Sequence, residues 1–226
     1  MTADEVNRAA WQEYGQHHLH RQTDLPEVDR IDWAGWGTGP GTELLGQVAG
    51  LRVLDLGSGV GRHAAHLVRD HGATVDAIDA SATQHQRARA RYPDTAGLTL
   101  LHGDAVKHLA SAEPYDLIYA VSVFPFVDPQ QLVPVVVHGL RPQGRLFFST
   151  LHTSVTGQGP SNKVVARREL IRLTGGVEIP TDMFVLDTPT WTRLLTHAGL
   201  IVDDVLTLDH EGEAPVSYRV FSAHRP

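Results

Sequence analysis

Residues 51–68, LRVLDLGSGVGRHAAHLV, constrain this chain more than any other stretch. Arg52 to Leu56 is a short apolar run of strand type, Gly57, Gly59 and Gly61 follow at alternate positions, and Ala64, Ala65, Leu67 and Val68 then recur at helical spacing. Strand, glycine turn and helix in that order make a unit in which backbone can approach a ligand closely and a helix N-terminus faces it. Residues 33–41, WAGWGTGPG, are richer in glycine. The preceding LPEVDRID is too polar for a buried strand, so this second stretch does not read as a phosphate loop.

The alternation continues downstream. GATVDAIDAS supplies a second strand ending at Asp79, and ATQHQRARARYPD a polar helix stopped by Pro93. LTLLHGDA, AVKHLASAEP, YDLIYAVSV, PQQLVPVVVHGL and GRLFFSTLH read in turn as strand and loop, short helix, strand, helix and strand. Strands separated by helices imply right-handed crossovers and a parallel sheet covered on both faces. Residues 153–184 show few clean periods and are read as an irregular insertion on the substrate side. TPTWTRLLTHAGL then has helical spacing, with Thr188 or Thr190 as its cap. LIVDDVLTLD and PVSYRVFSAH come next as two strands joined by HEGEA, expected to pair as an antiparallel edge ribbon. With a helix over residues 4–20, the expectation is one α/β domain with a Rossmann-like, doubly wound, seven-stranded and mostly parallel sheet. Its parts are an N-terminal lid (1–50), a cofactor-binding core (51–152), the insertion (153–184) and a C-terminal helix with strands (185–226).

A length of 226 residues at 42% hydrophobic content suits one sizeable core. The formal net charge is -7 and the basic residues are scattered, which argues against gripping a nucleic-acid backbone. The N-terminal residues show no basic segment backed by an apolar run, and no stretch is long enough to span a bilayer. A cytoplasmic protein without nucleic-acid or membrane partners is therefore expected, with a homodimer left open. The lack of cysteine removes disulfides, thiolate metal sites and cysteine nucleophiles together.

The glycine turn discriminates between cofactors. A dinucleotide fingerprint places a third glycine where this chain has Arg62, so a nicotinamide or flavin dinucleotide fits poorly. Asp55, just before the glycines, would face a pyrophosphate unfavourably but could accept hydrogen bonds from an ammonium group. The ligand implied has a cationic end.

VLDLGSGVGR resembles the first motif of class I S-adenosylmethionine-dependent methyltransferases of the small-molecule, secondary-metabolite type, and the order of the downstream segments, over roughly residues 51–150, is similar to the rest of that family. The resemblance implies that Asp55, Gly57, Ser58 and Gly59 hold the methionine part of the cofactor. VDAIDAS places Asp79, with Ala80, on the ribose hydroxyls, and a bidentate carboxylate suits a vicinal diol. HGDA places Asp104 on the adenine amino group with Ala105 beside the ring, and Ala120 ends the fourth strand at the cofactor. LRPQGRLFFST resembles the turn before the fifth strand, with Gln143 where a glycine is usual. Trp36 and Gly37 would cross the methionine end, and Tyr14 would belong to a lid helix folded over the cofactor.

For the acceptor, YDLIYAVSVFPF lacks the Asn or Asp followed by Pro-Pro of base-methylating enzymes, and Ala120 to Ser122 offers no carboxylate for a hard cation, so no metal is expected. Asp128 is the nearest carboxylate downstream. A hydroxyl acceptor calls for a base, and histidine is the side chain suited to that near pH 7. Tyr14, His17, His18 and Arg21 share one helix face, and His152 follows the fifth strand; Tyr14, His17, His18 and His152 are the catalytic candidates. Phe124, Phe126, Met183, Phe184 and Trp191 are candidate apolar walls. The sequence thus reads as an enzyme moving a methyl group from S-adenosylmethionine to O, N, S or C of a small molecule without metal. Two alternatives stand beside it. A nicotinamide oxidoreductase is disfavoured by Arg62 and by the lack of a tyrosine four residues before Lys107 or Lys163; a protein that binds the cofactor without transfer is the other.

Overall fold

The computed structural model describes residues 2–226. Helix α1 (Ala3–His20) starts on a reciprocal cap: Thr2 Oγ1 accepts from the Glu5 N–H (3.3 Å), and the Glu5 carboxylate accepts from the Thr2 N–H (2.8 Å). An irregular arm and a short 3-10 turn (Thr42–Leu45) lead to β1 (Arg52–Leu56), α2 (Arg62–His71), β2 (Thr74–Asp79), α3 (Ala82–Arg91) and β3 (Leu98–His102). Next come α4 (Ala105–Leu109), β4 (Tyr115–Ala120), a 3-10 turn (Phe124–Phe126), α5 (Pro129–His138) and β5 (Leu140–Thr153). The chain continues through β6 (Arg167–Arg172), β7 (Glu178–Met183), α6 (Thr188–His197), β8 (Ile201–Asp209) and β9 (Ser217–His224).

Seven strands form one sheet in the order β3-β2-β1-β4-β5-β9-β8. The β1 to β5 neighbours pair in parallel, whereas β9 runs antiparallel to both β5 and β8. The C-terminal ribbon is present, with the later strand on the inside. Alternation along the strands divides the core in two. Leu54, Leu56, Ile118, Phe148 and Phe221 face one side with Leu132, Val136 and Trp191, while Val53, Leu117 and Tyr119 face the other with Ala64, Leu67 and Trp33. Phe148 lies between Phe124 (ring centroids 3.9 Å) and Phe221 (4.9 Å), both nearly parallel to it. No helix among the described residues is long and apolar enough to cross a membrane.

Three local expectations are corrected. Residues 153–184 are not irregular throughout: β6 and β7 form a separate antiparallel pair, from Arg167 opposite Met183 to Arg172 opposite Glu178. The pair packs on α1 rather than on a broad core, so its strands keep charges such as Arg168 and Asp182 (2.7 Å) and a Pro180 that strand patterning disfavours. The cap of α6 is Asp187, which accepts from the Thr190 N–H (2.8 Å); Thr188 and Thr190 lie inside the helix. The RPQG segment is absorbed into β5, where the register against β4 jumps from Tyr115–Leu140 to Leu117–Arg145.

Candidate functional site

A cavity of about 440 Å³ opens at the carboxyl ends of the parallel strands, where an open α/β sheet places its ligands. Strands β1 to β4 each contribute at or just past their carboxyl ends. After β1, Gly57 (φ 74°) sits against Val123, so any side chain at 57 would collide with that valine. The Gly59 N–H donates to Asp79 Oδ2 (2.8 Å), and the Ser81 N–H donates to Asp79 Oδ1 (2.8 Å). The carboxylate at the end of β2 is thus aimed and fixed by backbone donors, yet each oxygen keeps a lone pair for a ligand hydroxyl. Burial raises its pKa to about 6, against the pull of the Ser81 and Gly59 N–H groups.

After β3, Asp104 caps α4 by accepting from the Val106 (2.9 Å) and Lys107 (3.2 Å) N–H groups. Its other oxygen meets Arg8 of α1 at 3.0 Å. Gly57, Gly59, Asp79, Ala80, Asp104 and Ala105 all line the cavity, so six of the residues proposed for the cofactor meet around one space.

Asp55 lies behind the glycine turn. It is 2% exposed, its Oδ2 has no hydrogen-bond partner among the described residues, and burial, reinforced by the Asp79 charge and opposed by the Tyr119 hydroxyl, raises its pKa to about 7. Asp55 does not itself line the cavity; it stands behind Leu56 and Gly57, which do, so it would act on the cationic end of the ligand only from beneath the turn. Ser58 and Ala120 stand beside the lining residues Gly57, Gly59 and Val121 without lining the cavity themselves.

Helix α1 does form a wall, with a different face from the one expected. Asp4, Asn7, Arg8 and Trp11, spaced as one helix stripe, line the cavity. Tyr14, His17 and His18 do not, because at 1.5 Å per residue His18 lies about 16 Å along the axis from Asn7. That end of α1 packs on α3: Ser81 Oγ donates to the Trp11 carbonyl (3.1 Å), Thr83 Oγ1 to the Gln12 carbonyl (3.1 Å), and a Cβ on Gly15 would overlap Thr83. The His18 ring packs at a tilt against Tyr14 (4.5 Å between centroids) and contacts Thr23 (3.2 Å), and burial lowers its pKa. His152 also lies outside the lining, beside Thr153 and Ser217.

Asn7 is the residue that composition and spacing did not reveal. It is buried, its amide donates to the carbonyls of Phe126 (2.8 Å) and Asp182 (2.7 Å), and its oxygen accepts from the Asp182 N–H (2.8 Å). One side chain therefore ties the helix to the turn after β4 and to β7.

The glycine-rich WAGWG segment wraps a carboxylate of its own chain. The N–H groups of Ala34, Gly35 and Trp36 donate to Asp32 Oδ1, and that of Gly37 to Oδ2, at 2.8–3.3 Å. Trp36 and Gly37 do not line the cavity; the Trp36 ring packs edge-on against Tyr218 (5.5 Å) and His210 (5.1 Å), and Tyr218 is the one that reaches the cavity. Of the apolar wall candidates, Phe126 and Met183 line it, while Phe124, Phe184 and Trp191 belong to the core.

The family described as a methyltransferase domain matches residues 53–144. The ubiquinone biosynthesis O-methyltransferase of Xylella fastidiosa is 30% identical over 169 residues, which cover 73% of this chain and 66% of that protein. The chain thus spans just under two thirds of that relative's length. The crystal structure of an S-adenosylmethionine dependent methyltransferase from Mesorhizobium loti superposes with a TM-score of 0.58 at 22% identity, over 80% of this chain and 94% of that one. The 4+2 cyclase SpnF superposes with a TM-score of 0.69 at 15% identity, over 100% of this chain and 97% of that one. Such structural likenesses speak to the fold, and a cyclase among them shows that the fold by itself names no reaction. The matched sequence, the sheet order and the motifs lining one cavity together make residues 53–144 a class I, S-adenosylmethionine-dependent methyltransferase domain.

Proposed function

We propose that this chain transfers a methyl group from S-adenosylmethionine to a nucleophilic atom of a small molecule, a secondary metabolite, by in-line displacement and without metal. The observation that carries the reading is a single cavity lined by the glycine turn, Asp79 and Asp104 together with apolar groups such as Trp11, Phe126, Leu151 and Met183. Asp79 would take the ribose hydroxyls, Asp104 the adenine amino group, and Asp55 the methionine ammonium through the turn it underlies. S-adenosylmethionine, when bound, supplies an electrophilic methyl; the chain holds the reactants in line and keeps water away. An oxygen acceptor draws support from the O-methyltransferase name of the Xylella relative. A cytoplasmic site of action belongs to the same reading, in keeping with the net charge of -7.

Calorimetric titration with S-adenosylhomocysteine and, separately, NADH tests the reading. Micromolar binding of the former that is lost in Asp79→Ala is expected. Binding of NADH instead, or of neither, would overturn it.

A further inference from the structure

Sheet order sorts the cavity lining from one end to the other. Asp104 follows β3, Asp79 ends β2, the glycine turn follows β1, Ser122 follows β4, Leu151 lies in β5 and Tyr218 in β9. With strands about 4.8 Å apart, the β9 backbone stands about 14 Å from β1, and the Asp79 and Asp104 carboxylates lie farther still. Tyr218 and Ser122 therefore bring hydroxyls to the half of the cavity that is otherwise walled by groups such as Phe126, Leu151 and Met183.

Packing holds the pair in place, at Ser122 against a strained backbone. Ser122 has φ 59°, a conformation that residues other than glycine rarely adopt, and its N–H donates to the buried Ser149 Oγ (2.9 Å). Val123, next in the chain, packs directly on Gly57, so the turn carrying Ser122 is fixed against the glycine loop. Tyr218 sits opposite Leu151 in the β5–β9 register, and its phenol and the Ser122 side chain belong to the same cavity lining. Burial keeps that phenol protonated above its ordinary range, so it serves as a donor. The ionisable groups nearest on β5, β9 and the segments beside them are His152, Arg219, Asp209 and Asp187, none of which lines the cavity.

We propose that Tyr218 and Ser122 form an oxyanion subsite, and that the acceptor is a small molecule with an apolar body and an acidic phenolic or enolic hydroxyl, bound as its anion. The Tyr218 hydroxyl donates to the acceptor oxygen and turns a lone pair toward the methyl. The oxygen–carbon bond forms as the carbon–sulfur bond breaks, with the electron pair remaining on sulfur; the acceptor's proton has already passed to solvent. No protein base is then required, which accounts for a lining that holds no histidine among the described residues. This inference rests on the methyl-transfer reading.

The test uses 4-nitrophenol, whose phenolate is coloured, added to the full chain saturated with S-adenosylhomocysteine. The expected result is binding with a lowered apparent pKa of the probe, reduced about tenfold in affinity and returned toward the free value in Tyr218→Phe, with a smaller effect in Ser122→Ala. Retained thermal melting and retained S-adenosylhomocysteine binding show that the variants fold. An unshifted probe pKa, an equal shift in Tyr218→Phe, or no probe binding to the loaded protein would each overturn the subsite. Failure of S-adenosylhomocysteine itself to bind would overturn the methyl-transfer reading instead.

Discussion

Gln143 holds φ 64° within the bulged start of β5, and its N–H donates to the Arg225 carbonyl (2.8 Å). The left-handed conformation costs a residue with a Cβ about 1–2 kcal/mol, while glycine loses roughly 0.5–1 kcal/mol more chain entropy on folding. Gln143→Gly is therefore expected to raise stability by a few tenths to about 1 kcal/mol in urea unfolding, and Gln143→Val to lower it. Asp55 and Asp79 set a pH dependence of unusual sign. Both have folded-state pKa values above the ordinary carboxylate value, about 7 and about 6, so between pH ~4 and ~7 the folded state binds more protons than the unfolded chain. Stability should fall as pH rises through that window, by on the order of a few kcal/mol for Asp55, and Asp55→Asn should flatten the profile while weakening S-adenosylhomocysteine binding. These two carboxylates were legible in the sequence because each adjoins a local signature, a strand ending at a glycine turn or a second strand twenty residues on. Asp32 and Asn7 were not, since their partners are backbone groups in loops or on distant elements, which no periodicity encodes.

Helix α1 shows how an element can be found and its role misjudged. Its length and cap follow from Thr2, Glu5 and helical spacing, but which stripe faces the cavity depends on where the helix is pinned, and the pins are Asn7 at one end and the Gly15–Thr83 contact at the other. The histidine-rich end was the more conspicuous chemistry and lies past the cavity. Asn7→Ala removes three hydrogen bonds, one buried and two part-buried, and orphans backbone groups of Phe126 and Asp182, at a cost of about 2–3 kcal/mol. Limited proteolysis should then cut between α1 and β1 faster than in the wild type, and S-adenosylhomocysteine should slow that cleavage less. The hairpin β6–β7 escaped patterning for the same reason: its partner is α1, so alternation of buried and exposed positions is carried by residues such as Glu169, Ile171 and Arg172 rather than by an apolar run.

Across the whole molecule, the cavity is bounded by the parallel strands' carboxyl ends, by α1 and by the hairpin, so a bound ligand ties the sheet to both of these covering elements. Ligand that binds only the folded state adds about 2.7 kcal/mol at a hundredfold excess over Kd. For a domain of this size that corresponds to a rise in Tm of roughly 5–10 °C with S-adenosylhomocysteine, absent in Asp79→Ala, as differential scanning fluorimetry would show. The sheet's order of assembly in time also departs from its order in space. β8 is made before β9 but joins the sheet only through it, so β5 has no neighbour on its outer side until residues 217–224 exist. While the ribosome adds the intervening residues, that unpaired row of amides and carbonyls is a template open to any passing strand, and chaperone demand during synthesis should concentrate there.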